Sequence, residues 1–457
     1  MSLLLAGSVV AYVSLDRSIN TFSASGISRH RPPPSVHGQN ILLIGSDSRA
    51  GADRGLGGAG PAVGRSDTTL LVHVYEGGRR AVAVSIPRDA LVDIPACRLP
   101  DGNWSQPQRQ AMFNAAFSVG QTASGNPACT VNTVEKLTGM RVDHTVVADF
   151  VGFAAMTKIV GGVPVCVPNP VYQGDLDPNL GQQGKLVFHK GLQTVSGTKA
   201  LDYVRLRHGI GDGSDIGRMR RQQAFLGSVV AKVRAEGVTP TRIVPLASAA
   251  TKYLTVDAEL GTADKLVSFL VSLRHMSPED IVFVTTPWRY DGPRVALVHP
   301  DVDRLWAALR NDEPVSSGDR STKTRPLTVA QTLASVTKPV TVLNGTSVTG
   351  LGARTAVVLR KAGIRVSVVA NGPGERRTLV EYGPGLEGQA HALAAAFVGA
   401  RTRVDSQPGL RLRLGAQHRI RSLRSVATSR PLPASITVGA RSAATHPCTD
   451  VSYGAAP

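Results

Sequence analysis

The sequence predicts an α/β protein made of two domains. Short apolar runs of strand type alternate with segments of helical periodicity, and 457 residues exceed the length of one average domain. The 42% of apolar residues are enough to build buried cores, which excludes a disordered protein. A segment rich in Pro and Ser, residues 313–326, separates the two predicted domains.

The first domain begins with three predicted strands. Residues 40–45 form an apolar run that ends just before Asp47, and the strand-like runs 68–75 and 81–86 are joined by a hairpin signal at 76–80. Charged residues stand at the ends of these strands. Because α/β proteins place ligands at strand ends, this edge of the predicted sheet is a candidate binding site.

A helix and an extended segment are predicted next. Residues 150–160 are apolar nearly all round, which is typical of a core helix and also suits the wall of an apolar tunnel. The alternation in Tyr203–Arg207 predicts an extended segment, in which Arg205 and Arg207 would point the same way.

A second helix is predicted to start at Ser214 or Asp215, either of which suits the N-cap. Arg218 and the pair Arg221 and Gln222 recur at helical spacing, so they share a face near the positive end of the helix dipole. This face favours an anionic ligand.

The second domain is predicted as a small α/β unit. Its strands and helices are expected at 340–343, 350–362, 365–370, 378–382 and 387–398. Residues 401–430 hold eight Arg, no Lys and one acidic residue, which predicts a basic tail. A Gly-rich turn at 344–352 fails the dinucleotide-binding pattern, because Thr355 occupies the third glycine position.

The charge balance favours an anionic partner. The chain carries 51 Lys and Arg against 33 Asp and Glu, a net charge of +18. Such an excess suits nucleic acid, an acidic membrane face or a phosphorylated polymer, although an arginine-rich composition without any such partner is the alternative.

Arginines and aspartates recur in short motifs. Guanidinium groups pair bidentately with phosphate oxygens, and carboxylates recruit Mg²⁺ beside them, so this mixture suits pyrophosphate chemistry. A network of structural ion pairs is the alternative. The set comprises Asp47, Arg65, Asp67, Arg88, Asp89, Arg205, Arg207, Asp215 and Arg218.

The N-terminal residues 1–15 are apolar but short. Thirteen helical residues cover about 20 Å, less than the ~30 Å hydrocarbon core of a membrane. The segment suits a signal-peptide core, a buried helix or the end of a membrane-spanning helix, and we favour the last because no clear cleavage site follows.

The four cysteines show no zinc-binding spacing. Cys97 and Cys129 flank one loop-like insert, and their spacing suits a disulfide in an oxidising compartment. Cys166 and Cys448 have no obvious local mates. Inert buried thiols are the alternative for all four.

Seven motifs follow one another along the first domain: Gly45-Ser46-Asp47-Ser48-Arg49, Gly64-Arg65-Ser66-Asp67-Thr68, Ser85-Ile86-Pro87-Arg88-Asp89, Phe113-Asn114-Ala115-Ala116-Phe117, Gly161-Gly162-Val163, the segment 200–207 and the segment 214–223. In this order they resemble the LytR-CpsA-Psr family over residues 38–235. The second domain resembles the LytR C-terminal domain, mainly through Val342-Leu343-Asn344-Gly345.

The resemblance implies a three-layer α-β-α domain with a mixed central sheet. It also implies a membrane-anchored phosphotransferase, single-pass with its catalytic domain outside the cell, that moves a glycopolymer from a polyprenyl-pyrophosphate carrier to peptidoglycan. A pyrophosphatase side activity is compatible with the same site. Asp47 and Asp67 would hold Mg²⁺ or Mn²⁺, and Asp89 or Asp215 would act as general base or orient an arginine. The pyrophosphate would be bound by Arg65, Arg88, Arg205, Arg207, Arg218, Arg221 and Gln222.

The expected division of the chain follows from these assignments. The ranges are a partial anchor at 1–15, a tether at 16–37, a catalytic domain at 38–312, a linker at 313–337, a C-terminal domain at 338–400 and a basic region at 401–457. Two other functions stay open: a non-catalytic protein that binds the carrier or the polymer, and a DNA-binding regulator. No helix-turn-helix or zinc pattern supports the latter, so nucleic acid is not the expected partner.

Overall fold

The computed structural model describes residues 19–35, 37–47, 63–211, 213–236, 248–272, 276–315, 333, 336–418, 420, 432–437, 439–449 and 451. The chain divides into two compact units. One comprises residues 1–319 together with 432–457, and the other comprises residues 320–431. The structure therefore divides the chain differently from the expected ranges, since residues beyond 431 return to the first unit.

The strands and helices are numbered here in chain order. The strands are β1 (Asn20–Thr21), β2 (Gln39–Ser46), β3 (Ser66–Val74), β4 (Ala81–Ser85), β5 (Leu91–Ile94), β6 (Gln108–Met112), β7 (His144–Ala148), β8 (Val163–Val167), β9 (Val171–Tyr172), β10 (Leu186–Phe188), β11 (Gly191–Val195), β12 (Leu254–Val256), β13 (Ile281–Thr285), β14 (Trp288–Asp291), β15 (Arg294–Leu297), β16 (Val340–Asn344), β17 (Val366–Asn371), β18 (Leu379–Tyr382), β19 (Arg401–Val404), β20 (Leu410–Leu414) and β21 (Arg441–Ser442). The α-helices are α1 (Pro127–Thr138), α2 (Phe150–Ile159), α3 (Gln173–Leu176), α4 (Thr198–Arg205), α5 (Asp215–Glu236), α6 (Ala263–Ser272), α7 (Asp301–Arg310), α8 (Leu351–Lys361), α9 (Glu387–Ala394) and α10 (Ala434–Thr437).

A mixed eight-stranded sheet forms the centre of the first unit, in the order β1-β12-β7-β2-β3-β4-β13-β21. Strand β7 is parallel to β2, and β13 is parallel to β4, whereas β3 is antiparallel to both of its neighbours. Strands β2, β4, β7 and β13 therefore run in one direction and end at the same edge. The loops that carry the predicted site residues leave from this edge.

Helices cover both faces of the sheet. On one face, Val134 of α1 and Leu305 of α7 share a core with Leu42 and Val84 of the sheet. On the other face, Leu226 of α5 and Phe269 of α6 pack against further apolar residues of the central strands. This arrangement confirms the predicted three-layer α-β-α fold with a mixed sheet.

The strands expected at 40–45, 68–75 and 81–86 are confirmed as β2, β3 and β4, and the core helix at 150–160 as α2. The extended segment predicted for Tyr203–Arg207 is wrong in its first half. Helix α4 continues to Arg205, and the backbone becomes extended only at Leu206, with φ −51° and ψ 132°. Arg205 and Arg207 are therefore not alternate residues of one strand.

The second unit is the small α/β domain that the sequence predicts. Its sheet has the order β17-β16-β20-β18-β19. Leu359 of α8 and Leu393 of α9 form one apolar core with Val342 and Leu412 of the sheet. Because β19 and β20 belong to this sheet, the domain extends past residue 400, and the first part of the expected basic tail is strand.

The last described residues belong to the first unit. Strand β21 pairs antiparallel with β13 at the edge of the central sheet, and Ile436 of α10 is buried in the core. The structure pairs Cys166 with Cys448 at disulfide distance, which joins this segment to β8. Cys97 and Cys129 also lie at disulfide distance, as predicted.

Among the described helices, none combines the length and apolar character needed to cross a membrane. The expected anchor at 1–15 lies outside the described residues, as do most of the expected linker at 313–337 and residues 421–431 of the basic region.

Candidate active site

Asp47 and Asp67 lie where β2 ends and β3 begins. Asp47 follows the last residue of β2, and its Oδ1 accepts a hydrogen bond from the backbone N–H of Arg65 at 2.6 Å. The pairing of β2 and β3 shifts at this point, because Ser46 faces Ser66 whereas Gly45 faces Thr68. Asp67 is thus the extra residue of a β-bulge, a feature that redirects a side chain next to many active sites.

Arg88 is the centre of a network of ion pairs. Its Nη1 donates to Asp67 Oδ1 at 2.8 Å, its Nη2 to Asp215 Oδ2 at 3.1 Å, and its Nε lies 3.4 Å from Asp89 Oδ2. Although burial disfavours the charged form, Asp67 and Asp215 raise the pKa of Arg88 above its usual value. The guanidinium is therefore held in place from three sides.

Asp215 gathers three guanidinium groups. Besides Arg88, its Oδ1 lies 3.0 Å from Arg218 Nη2 and 3.4 Å from Arg207 Nη2. Asp215 opens helix α5, where Ser214 is the N-cap and its Oγ accepts the backbone N–H of Gly217. The helix dipole favours a carboxylate at this position, as it would favour a phosphate.

The neighbouring carboxyl groups of Asp89 and Asp215 differ in pKa. Burial and then a hydrogen bond with Asp215 raise the pKa of Asp89. Burial alone would raise the pKa of Asp215 too, but the hydrogen bond from Asp89 and the charges of Arg218, Arg88 and Arg207 lower it. When two adjacent carboxyl groups differ in this way, the one with the raised pKa suits proton transfer and the other stays ionised.

Arg218 has unsatisfied donor capacity. Its side chain is only 6% exposed, and burial lowers its pKa to about 10, so it is charged at neutral pH. Among the residues that the structure describes, its Nε is buried without a hydrogen-bond partner. A buried N–H of a cation that lacks an acceptor is costly, and an anionic oxygen would satisfy it.

A cleft at this edge brings the network together. Its walls comprise Asp67, Pro87, Arg88, Asp89, Asp215, Ile216, Arg218, Met219 and Val295. The structure thus joins five of the predicted site residues in one cleft, with Arg207 ion-paired to Asp215 beside them.

Three other predicted residues have surroundings different from the lining of this cleft. Arg205 lies with its guanidinium carbon 4.3 Å from the ring centre of Phe150, the first residue of α2. Gln222 accepts a hydrogen bond from Thr68 and donates one to the carbonyl of Val204, so it links β3 to the end of α4. The side chain of Arg65 is exposed.

Arg221 occupies a different environment from the predicted one. It is 1% exposed, and its guanidinium donates to the backbone carbonyls of Tyr203 and Leu206. These contacts satisfy carbonyl groups at the C-terminal end of α4, so Arg221 fixes the segment that carries Arg205 and Arg207.

Sequence reasoning missed two supporting residues. Gln223, which is 2% exposed, donates to Ser85 Oγ at 2.7 Å and to the carbonyl of Val284 at 3.1 Å, which ties α5 to the sheet. Val295 closes one side of the cleft from the β14–β15 hairpin. The pair Gln222-Gln223 in the sequence could have pointed to Gln223, whereas no local pattern points to Val295.

Comparisons with known proteins place this site in a family. The model of the LytR_cpsA_psr family matches residues 15–310, which is more than half of the chain. The chain belongs to the LytR-CpsA-Psr family. A second model, described as LytR cell envelope-related transcriptional attenuator, matches residues 337–418, a range that includes β19 and β20.

Two relatives within the LytR-CpsA-Psr family illustrate the similarity. The cell wall biosynthesis protein LcpA of Corynebacterium glutamicum is 30% identical over 356 residues, which cover 71% of this chain and 65% of LcpA. The polyisoprenyl-teichoic acid–peptidoglycan teichoic acid transferase TagT of Bacillus subtilis is 28% identical over 241 residues, or 53% of this chain and 66% of TagT. The matches thus span about two thirds of each relative.

Solved structures of the LytR-CpsA-Psr family also match. Bacillus subtilis TagV has 22% identity and a TM-score of 0.45, covering 60% of this chain and 96% of TagV. The LytR-Csp2A-Psr enzyme from Actinomyces oris has 19% identity and a TM-score of 0.44, covering 62% of this chain and 95% of that protein.

Proposed function

We propose that the chain transfers a glycopolymer from a polyprenyl-pyrophosphate carrier to peptidoglycan. The observation that carries the proposal is the convergence of Arg88, Arg207 and Arg218 on one carboxylate, Asp215, which lines the cleft. Three guanidinium groups around one anionic group form the environment that a pyrophosphate requires. The name of TagT describes a transfer of this kind for teichoic acid.

In the proposed reaction, a hydroxyl oxygen of the acceptor attacks the phosphorus that bears the glycopolymer. A new phosphorus–oxygen bond forms, and the bond from that phosphorus to the bridging oxygen of the pyrophosphate breaks. The products are a phosphodiester between polymer and acceptor and a polyprenyl monophosphate. Attack by water instead of the acceptor would give the predicted pyrophosphatase side activity.

The arginines neutralise the charge that develops on the phosphate oxygens. Arg218 offers its buried, unpartnered Nε, and Arg207 offers a guanidinium on a side chain that is 43% exposed. Because these groups are fixed before the substrate binds, they need little reorganisation during the reaction. Arg65 and Arg205 at the margin are predicted to extend the phosphate contacts.

Asp89 is the proposed general base. It takes the proton of the attacking hydroxyl, since its raised pKa makes it the better proton acceptor of the two carboxyl groups. Asp215 stays ionised and holds the arginines. This assignment chooses between the two residues that the sequence left open.

Mg²⁺ is proposed to bind at Asp47 and Asp67. No group of three or more His, Cys, Asp or Glu side chains suited to a metal occurs in the part of the chain that the structure describes. Two carboxylates nevertheless fit Mg²⁺, which is commonly held by one or two carboxylates with water and substrate phosphates completing its coordination. When bound, the ion would offset negative charge on the pyrophosphate; Mn²⁺ suits the same oxygen ligands.

The two cysteine pairs support a location outside the cytoplasm. Disulfides persist in oxidising compartments, and every described cysteine lies at disulfide distance from another. We therefore place the catalytic domain on the outer face of the cell membrane, anchored by a single membrane-spanning segment, as the family resemblance implies.

Two substitutions test the proposal with a polyprenyl-pyrophosphate-linked saccharide and a peptidoglycan fragment. Asp67→Ala should abolish Mg²⁺-dependent turnover while some carrier binding persists through the arginines. Arg207→Ala should weaken both, by roughly ten- to 150-fold for one charged hydrogen-bond partner. Tight binding without transfer or hydrolysis by the wild type would favour the non-catalytic binding protein. Wild-type behaviour of both variants would show that the ion pairs are only structural.

A further inference from the structure

The β14–β15 hairpin is attached directly to the loop after β4 that carries Arg88 and Asp89. The backbone N–H of Val295 donates to the carbonyl of Asp89 at 3.2 Å, and Val295 forms a parallel bridge with Ala90. The side chain of Val295 is buried and lines the cleft beside Arg88. The hairpin is therefore tied to the loop whose side chains form the proposed phosphate site.

Two aromatic side chains extend the cleft face of the hairpin. In its register Tyr290 pairs with Val295, and Trp288 pairs with Leu297. Directly paired residues of antiparallel strands lie on one face, with Cβ atoms about 4.5–5.5 Å apart, so both rings share the face of Val295. The ring centres are 4.9 Å apart with planes at 75°, and Tyr290 is 57% exposed.

We propose that Trp288 and Tyr290 form the subsite for the sugar rings of the acceptor glycan. This inference rests on the proposed transferase function, because it names where the acceptor is held for that reaction. Neutral pyranose rings present apolar C–H faces, which pack on the negatively charged face of an aromatic ring. The hydroxyl groups at the ring edge stay free to reach Asp89.

The position of the pair selects this occupant over the others. The pyrophosphate is drawn to the guanidinium groups, whereas the rings of Trp288 and Tyr290 are neutral. A polyprenyl chain needs an enclosed apolar groove, whereas Tyr290 stands on an open hairpin. Tyr290 thus presents an exposed ring that packs on the half-buried Trp288 beside the cleft, and such aromatic side chains suit the lining of a ligand site.

Binding of a β-1,4-linked N-acetylglucosamine tetramer to the whole chain tests the inference, followed by tryptophan fluorescence and by the acceptor KM. Tyr290→Ala should raise the Kd and the KM roughly 3- to 10-fold, with kcat at saturating acceptor unchanged. Tyr290→Phe, which keeps the ring, should bind like the wild type. Trp104→Ala should also leave binding unchanged, because Trp104 is an exposed aromatic residue outside this hairpin.

The inference would be overturned if the wild type did not bind the tetramer, or if Tyr290→Ala bound it as tightly as the wild type. It would also be overturned if phosphatidylglycerol vesicles, but not the tetramer, protected the fluorescence of Trp288 from quenching by acrylamide. Failure of the proposed function would look different. A wild-type chain that binds the tetramer through Tyr290 yet transfers nothing would refute the transferase and support the subsite. Transfer with an unchanged acceptor KM in Tyr290→Ala would refute the subsite alone.

Discussion

Replacement of Asp215 by Asn tests whether its carboxylate neutralises the three arginines when no phosphate is bound. The substitution keeps the shape of the side chain and removes the charge that faces Arg88, Arg207 and Arg218 at 3.0 to 3.4 Å. Hydrogen bonds to charged groups contribute about 1.5 to 3 kcal/mol each, and partial exposure of Asp215 screens them. We expect a loss of about 2 kcal/mol in the free energy of unfolding.

Thermal unfolding measures this loss. The first unit comprises residues 1–319 and 432–457, and with an unfolding entropy of about 2.1 cal/mol/K per residue a loss of about 2 kcal/mol lowers its midpoint by about 3 °C. Inorganic pyrophosphate should restore part of the loss, because its oxygens can replace the missing carboxylate, and a ligand at 100 times its Kd adds about 2.7 kcal/mol. Its stabilising effect should be larger in Asp215→Asn than in the wild type.

The control is Asp303→Asn on α7, which removes an exposed side-chain contact with His299. Such surface pairs contribute little, so its midpoint should stay within about 1 °C of the wild type, and pyrophosphate should stabilise it as much as it stabilises the wild type. A similarly small change in Asp215→Asn, or equal stabilisation of variant and wild type by pyrophosphate, would contradict the argument.

Three further predictions follow from the same structure. The transfer rate should rise as pH increases through the raised pKa of Asp89, and Asp89→Asn should remove this acidic limb and lower kcat about 10²- to 10⁴-fold in a pH–rate profile. A hydrogen bond with Asp257 raises the pKa of His144. This pair therefore stabilises the fold fully below the usual pKa of 6.5, and the stabilisation is lost as pH rises through the pKa of the folded state. The difference in unfolding midpoint between wild type and His144→Gln should accordingly shrink from about pH 6 to pH 9. Peptide mapping without reductant should recover Cys97 joined to Cys129. Replacement of both by Ser should lower the free energy of unfolding by about 3 to 4 kcal/mol, because the disulfide closes a loop with a sequence separation of 32 residues. Free thiols at both positions in secreted protein would contradict this prediction.

Local patterns predicted the elements whose side chains pack in a simple period. Strands β2, β3 and β4 each contain a short apolar run, so their positions followed from the sequence. The segment before Arg207 is different. Tyr203 and Leu206 are both buried, and their spacing is compatible with a helix as well as with an irregular segment. Whether the segment is helical therefore depends on a contact from another helix, since Arg221 of α5 donates to the carbonyls of both residues.

The site residues were predicted by type and motif, whereas their mutual arrangement was not. Arg88 and Asp215 are separated by 127 residues, and only the folded chain shows that Asp215 gathers three arginines. The same limit applies to Cys166 and Cys448, whose separation of 282 residues leaves no local signal. The spacing of residues along the sequence indicates which side chains are neighbours within one helix or strand. It does not indicate contacts between different helices and strands, such as these.

The segment that follows the C-terminal domain and carries Cys448 also supports the site. Strand β21 pairs with β13, and Ala443 packs beside Phe283 on the face covered by α5. Gln223 ties α5 to the carbonyl of Val284 on the same strand, eight residues from Asp215 at the start of that helix. The segment after the C-terminal domain therefore supports the strand against which α5 is positioned, and through α5 the carboxylate that holds the arginines.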